Sequence, residues 1–342
     1  MRPALLATTA ALGLAASQPT TAGAETIRYM TAGGIYLEHI TQAFLEPIGE
    51  KLGVTWSIET SDNDTLIRLE HAAGAPTFDI VEFGASQCAR GAADGLYEEL
   101  DFDVIDVSDF TPGSYSDHFV GSTIFSTVLG YNTENIANPP SNWAEFWDVE
   151  NFPGTRSLRR TARHMLEGAL MADGVPPEEV YPMDLDRAID SLGRIRPHVT
   201  AWWGSGAEAQ QLVRDGGIDL IWTFNARLDS AAADGAPITY TFNQGIMEFG
   251  CWAIVKGTRN KDLAMRILAE FAKPEYQAEM ARLSGYGAAN MAIFETGIID
   301  AETAATLPTA PDNVNRQLLL DAAWWAENAP EAIERFDQFM TE

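Results

Sequence analysis

The sequence predicts an α/β fold of two lobes, and three observations predict it. The stretch from Thr26 to about residue 100 repeats strand, small-residue loop and helix; His198 to Asp229 reads as a complete βαβ unit; and two β-rich stretches, reaching Asn132 and Val255, are placed to carry the chain between lobes. With 342 residues the chain is long enough for two cores of ordinary domain size.

The chain opens on Met1-Arg2-Pro3, an uncharged run from Ala4 to Ala16, and Ala22-Gly23-Ala24 before Glu25. A positive start, an apolar core too short for a ~20-residue membrane span and an A-x-A site are the three parts of a secretory signal peptide, so residues 1–24 are expected to be removed after Ala24 and the mature chain to be periplasmic. The formal net charge is −27, and loss of Arg2 makes it −28. A surface this acidic repels nucleic acid and anionic lipid, and no later stretch is apolar enough to insert in a membrane. The two cysteines, Cys88 and Cys251, sit among apolar and small residues and read as buried free thiols, with a disulfide between them in an oxidising compartment as the alternative.

Thr26 to Thr31 is the first strand, broken at Gly33-Gly34, and a helix from Tyr36 to Ile48 carries Ile40, Phe44 and Ile48 on one buried face. Val54–Glu59 and Phe78–Phe83 are the next strands, with a helix over 64–73 between them and the Gly84-Ala85-Ser86 loop after. Val120 to Asn132 contains a crossing strand. Arg156 to Leu170 gathers Arg156, Arg159, Arg160 and Arg163 in a chain otherwise poor in positive charge. In the βαβ unit, Val199–Trp203 is a strand, Gly204-Ser205-Gly206 turns the chain, Ser205 and Glu208 stand in capping-box relation, and Ile218–Phe224 is the second strand. Ile238–Phe242 and Gly245–Val255 follow as two strands, the second returning to the first lobe. Helices are expected over 261–272, 275–283, 318–328 and 330–340, the last two parted at Pro330.

No G-x-S-x-G, H-E-x-x-H, C-x-x-C, P-loop or calcium-loop motif occurs, and the five histidines have no ligand spacing. The sequence therefore argues against an enzyme, a resident metal and a cofactor. A secreted hydrolase or transferase on the same scaffold lacks its nucleophile and base.

The order and spacing of several short pieces carry a resemblance: Gly33-Gly34-Ile35-Tyr36, Phe78-Asp79-Ile80-Val81, Gly130-Tyr131-Asn132, Trp203-Gly204-Ser205-Gly206-Ala207, Asn225-Ala226-Arg227, Ala253-Ile254-Val255 and Ala323 to Asn328. Across the mature chain the sequence resembles the periplasmic solute-binding proteins of ABC importers, in particular the spermidine/putrescine-binding-like family. The resemblance implies the type II periplasmic binding protein fold, with two crossing strands as hinge and a ligand closed between lobes. It places 25–128 and 250–295 in one lobe and 129–249 with 296–342 in the other. Its implied partners are a small-molecule ligand and an inner-membrane ABC permease, and the chain is expected to act as a monomer.

Where polyamine binders of this family place ligand-gripping acids, the sequence has Arg160, Thr161 and His164, and Gly250. Arginine there repels a diamine and suits a carboxylate, so an amino acid, a γ-amino acid or a similar zwitterion fits better than putrescine or spermidine, the alternative. The ligand-binding residues expected are Gly34, Tyr36, Ser86, Arg160, Trp203, Ser205, Phe224, Arg227, Glu248 and Tyr286. Of the adjacent Trp202 and Trp203 only one can face the cleft, and Trp203 is preferred; Trp324-Trp325 reads as packing of the C-terminal helices.

Overall fold

The structure, a computed structural model, describes residues 25–61 and 63–341. The signal peptide expected at 1–24 lies outside the described residues. Among the described residues eleven strands form one continuous sheet: β1 (Glu25–Thr31), β2 (Val54–Thr60), β3 (Ile80–Gly84), β4 (Tyr115–Ser116), β5 (Phe119–Asn132), β6 (Arg156–Arg159), β7 (Val199–Trp203), β8 (Leu220–Phe224), β9 (Ile238–Ile254), β10 (Gly287–Ala288) and β11 (Leu318–Leu319). The main order is β2-β1-β3-β9-β5-β8-β6-β7. At each end stands a parallel trio, β2-β1-β3 and β8-β6-β7. Between the trios run the long antiparallel strands β5 and β9.

The crossing strands join the two lobes because one leads into each parallel trio, while the short strands β4 and β10 add to β5 and β11 adds to β9. The far end of β9 pairs with β3 through Gly250–Ile254, and the far end of β5 pairs with β8 through Thr127–Tyr131. Their mutual register breaks between Gly121 and Ile124 and again between Thr127 and Leu129, so the ladder is interrupted where the chain passes between lobes. One core gathers Ile27, Tyr29, Phe44, Trp252 and Phe271; the other gathers Trp143, Leu158, Leu166, Trp222 and Phe336.

Several local expectations are corrected. The two strands of the βαβ unit do not pair, because β6 lies between β7 and β8. The stretches 238–242 and 245–255 form the single strand β9, since antiparallel pairing to β5 spans both. Residues 318–319 are strand, beside β9, and one helix runs Ala322–Thr341 through Pro330. Proline inside a helix costs about 3 kcal/mol. Trp325 on one side of Pro330 and Ala332, Phe336 and Phe339 on the other bury into the same core, which outweighs it. Ile299 and Leu307 pack with Ala278, Ala281, Ala288 and Ile293 before the chain reaches that helix.

Cys88 and Cys251 are joined as a disulfide, with Cα atoms 6.5 Å apart, rather than free. Their apolar setting gave no hint of this, because it fits a buried bridge as well as two thiols. Among the described residues no helix is long and apolar enough to cross a membrane, and no group of three or more His, Cys, Asp or Glu side chains is placed to hold a metal.

Candidate functional site: the cleft over the crossing strands

A cavity of about 710 Å³ opens over the middle of the sheet, where the ends of β3, β8 and β6 meet the middle stretches of β9 and β5. Its walls are aromatic. Tyr36, Tyr286, Phe125 and Phe224 form a chain of neighbouring rings, with centroids 6.3, 6.4 and 5.6 Å apart in turn. Trp325 adds a further face from the C-terminal helix. Such a lining excludes water and offers ring faces to an organic cation.

Two buried carboxylates meet this cavity in different company. Glu82, on β3, accepts hydrogen bonds from the hydroxyls of Tyr29 (2.6 Å), Thr31 (2.7 Å) and Tyr36 (2.5 Å), and no ion pair holds it among the described residues. Burial first, and then the nearby Glu82 charge, push the Tyr29 and Tyr36 hydroxyls well above the ordinary tyrosine value, so both stay protonated donors. Glu248, on β9, lies 2.7 Å from Arg163 Nη1 and 3.1 Å from His164 Nε2. Burial pushes its carboxyl up, but Arg163, His164 and Arg159 together outweigh burial and hold it at about 2.

The positive side comes from β6 and the turn after it. Arg159 lays its guanidinium 4.8 Å from the Phe224 ring centroid and 5.5 Å from that of Trp203, and its buried Nε has no hydrogen-bond partner. Burial, chiefly, lowers the Arg159 pKa; it remains a cation at any physiological pH. Arg163 and His164 break the start of the Ala162–Ala172 helix, with ψ 135° at Arg163 and φ 70° at His164. A left-handed histidine costs on the order of 1–3 kcal/mol. It persists because the fully buried ring is held between Glu248 and Thr127 Oγ1, the latter 3.3 Å from Nδ1.

Of the residues expected at the site, Tyr36, Arg160, Phe224, Glu248 and Tyr286 line the cavity. Ser86 is buried just behind it and accepts a hydrogen bond from Arg163 Nη2 at 2.7 Å. Trp203 does not line it: the ring is fully buried, donates to the Trp222 carbonyl at 3.0 Å, and supports Phe224 and Arg159 from below. Ser205 caps the Gly206–Arg214 helix as expected, accepting from Glu208 N at 3.2 Å, but it is exposed and outside the cavity. The reason is topological. β7 is the outermost strand, with β6 and β8 between it and β5, so the turn after β7 opens away from the crossing strands. Arg227 is exposed beside Gly206, and Gly34 is exposed at the head of the Ile35–Ile40 helix.

Sequence reasoning passed over Glu82, although an acid inside the apolar run Phe78–Phe83 was a signal, since carboxylates are seldom buried without a purpose. It weighed Arg159 but preferred Arg160, which the structure leaves largely exposed. Trp325, read as packing alone, is both: Nε1 donates to buried Glu167 at 2.6 Å while one face meets the cavity.

The family model for bacterial extracellular solute-binding proteins matches residues 43–308. The chain belongs to that family. Over 95% of its length it is 29% identical to the gamma-aminobutyric acid-binding protein of Pseudomonas aeruginosa, covering 94% of that protein. Among solved structures it is similar to an ABC transporter substrate-binding protein from Bradyrhizobium japonicum (38% identity, TM-score 0.85, 92% of this chain and 99% of that one). It is also similar to the PBP MotA of A. tumefaciens B6 in complex with glucopine (35% identity, TM-score 0.78, 92% and 99% covered). As a solute-binding protein of this family the chain has the two-lobed architecture expected of it, and its function is capture of a small solute for an ABC importer.

Proposed function

We propose that the protein is a periplasmic receptor for a small zwitterion, an amino acid of the γ-amino type or a related carboxylate-bearing amine, which it delivers to an ABC permease. The observation that carries this reading is a pair of opposite charges in one cavity, neither satisfied by an ion pair among the described residues. Arg159 presents a guanidinium stacked on aromatic rings with an unpartnered Nε, and Glu82 presents a carboxylate met only by hydroxyls. A ligand carboxylate on Arg159 makes a charge-assisted hydrogen bond in a water-poor site. A ligand ammonium beside Glu82 and Tyr36 supplies the positive charge that Glu82 lacks, with the aromatic wall against its methylenes. A diamine places its second ammonium toward Arg159, Arg160 and Arg163 and is disfavoured.

The relatives' names support the same class, one bearing gamma-aminobutyric acid and another solved with glucopine. The ligand bridges the lobes and shifts the population to the closed form that the permease recognises. The receptor acts as a monomer, without cofactor, after cleavage at Ala24.

The test is isothermal titration of the mature chain, residues 25–342, with 4-aminobutyrate, glucopine, glutamate, succinate and putrescine. Binding of at least one zwitterion, with putrescine and succinate silent, is expected. Tight binding of putrescine with no response to any zwitterion overturns the reading.

A further inference from the structure

Arg163 connects groups that belong to opposite walls of the cleft. Its Nη2 donates to Ser86 Oγ on the Ala85–Ala93 helix, which follows β3, while Arg163 itself follows β6 in the other parallel trio. Its Nη1 donates to Glu248 on the crossing strand β9, and its guanidinium lies 5.6 Å from the Trp325 ring centroid. The backbone pays for this position with non-helical angles at Arg163 and His164. His164, the residue that carries the left-handed φ, is itself fastened to Glu248 and Thr127. The receiving end is fixed as well. Ser86 stands two residues before Cys88 and Glu248 three before Cys251, and the Cys88–Cys251 bond ties that helix to β9.

We infer that Arg163 is an interlobe positioning residue, and that Glu248 and His164 serve to hold it rather than to touch the ligand. The bridge from Arg163 to Ser86 is a contact of the protein with itself, so it favours approach of the two walls before any solute arrives. A charged hydrogen bond of this kind is enough to move an open–closed equilibrium by roughly tenfold. It also leaves the ligand to Arg159, and to Arg160 at the rim, because Arg163 is held by Glu248 and Ser86. The inference does not depend on which solute binds.

The test therefore uses no ligand. Small-angle X-ray scattering of the ligand-free mature protein is compared with Ser86→Ala, Ser86→Thr and Glu248→Gln, each checked for an unchanged circular dichroism spectrum. S86A and E248Q are expected to have a larger radius of gyration than the parent, as for hinge opening, and S86T, which keeps the hydroxyl, to restore the parent value. Melting temperature reports folding separately, and a purely structural role for Ser86 moves it without moving the scattering. Scattering curves of folded S86A and E248Q that superimpose on the parent overturn the inference. Failure of the zwitterion titration leaves this result standing, and the reverse also holds.

Discussion

Glu82 and Glu248 are both buried, both line the same cavity and both sit on strands that pair through the middle of the sheet, yet they keep different company. Glu248 has the Arg163 guanidinium and the His164 ring in contact and Arg159 near. Glu82 has three hydroxyls and, among the described residues, no cation in contact. Hydroxyl donors satisfy lone pairs but leave the charge in place, whereas an arginine cancels it. Charge count alone therefore misleads about a ligand, and the partners of each carboxylate decide which one is open to a ligand ammonium.

The difference can be broken from either side. The largest effect is expected at the opposite pole: Arg159→Ala removes the guanidinium that answers Glu82, and should weaken binding of 4-aminobutyrate, or of whichever zwitterion the titration identifies, by at least about 100-fold, roughly 3 kcal/mol. Titration of the variant with the parent's ligand reads this directly, and a loss below about fivefold removes Arg159 from the site. Next comes Glu248→Gln, whose main effect should be on stability. The Glu248 carboxyl stands at about 2 when folded against an ordinary 4.5. A depressed folded pKa contributes stability above the ordinary value and loses it as pH falls toward about 2, up to about 3 kcal/mol in all. Denaturant melts from pH 7 to pH 2 should show the parent losing this increment below about pH 4.5, and E248Q, lower at neutral pH, falling less steeply.

Glu82→Gln should leave the fold intact and cost about 30-fold in affinity for a zwitterion, since the amide keeps the shape but not the charge. Equal losses in E82Q and E248Q would collapse the contrast between the two acids. The smallest effect is expected for Tyr36→Phe, which removes one of three hydroxyls on Glu82 while keeping the ring in the aromatic wall. About threefold to tenfold weaker binding, measured by the same titration, is the expected outcome.

Much of the architecture was legible in the sequence because strand and helix periodicities are local. Ile40, Phe44 and Ile48 are buried on one face as their spacing implies, and the crossing strand ends at Asn132 as read. The site was legible only in part, because which residue faces a cleft depends on strand order, and strand order is not written locally. Ser205 was placed on the expectation that the β7 turn opens onto the cleft, and the insertion of β6 moved it outward; Arg227, three residues past the cavity-lining Phe224, is carried off on the helix that follows β8 and is exposed. Alternation put Trp202 and Trp203 on opposite faces, and Trp203 was preferred for standing beside the Gly204-Ser205-Gly206 turn, a position that could not tell a cavity from a core. The disulfide was invisible for the same reason, its two halves lying 163 residues apart in sequence.

That separation has a consequence for how the protein comes to exist. A chain threaded across a membrane from its N-terminus brings Cys88 out first, and the intervening residues include β5, β6, β7, β8 and most of β9. The partner sulfur arrives only when nearly all of the second parallel trio has already emerged. The bond is therefore a long-range stitch that can be made before the first core is complete, since Trp252 and Phe271 of that core follow Cys251, and until it forms Cys88 is an unclaimed thiol in an oxidising compartment, open to the wrong partner.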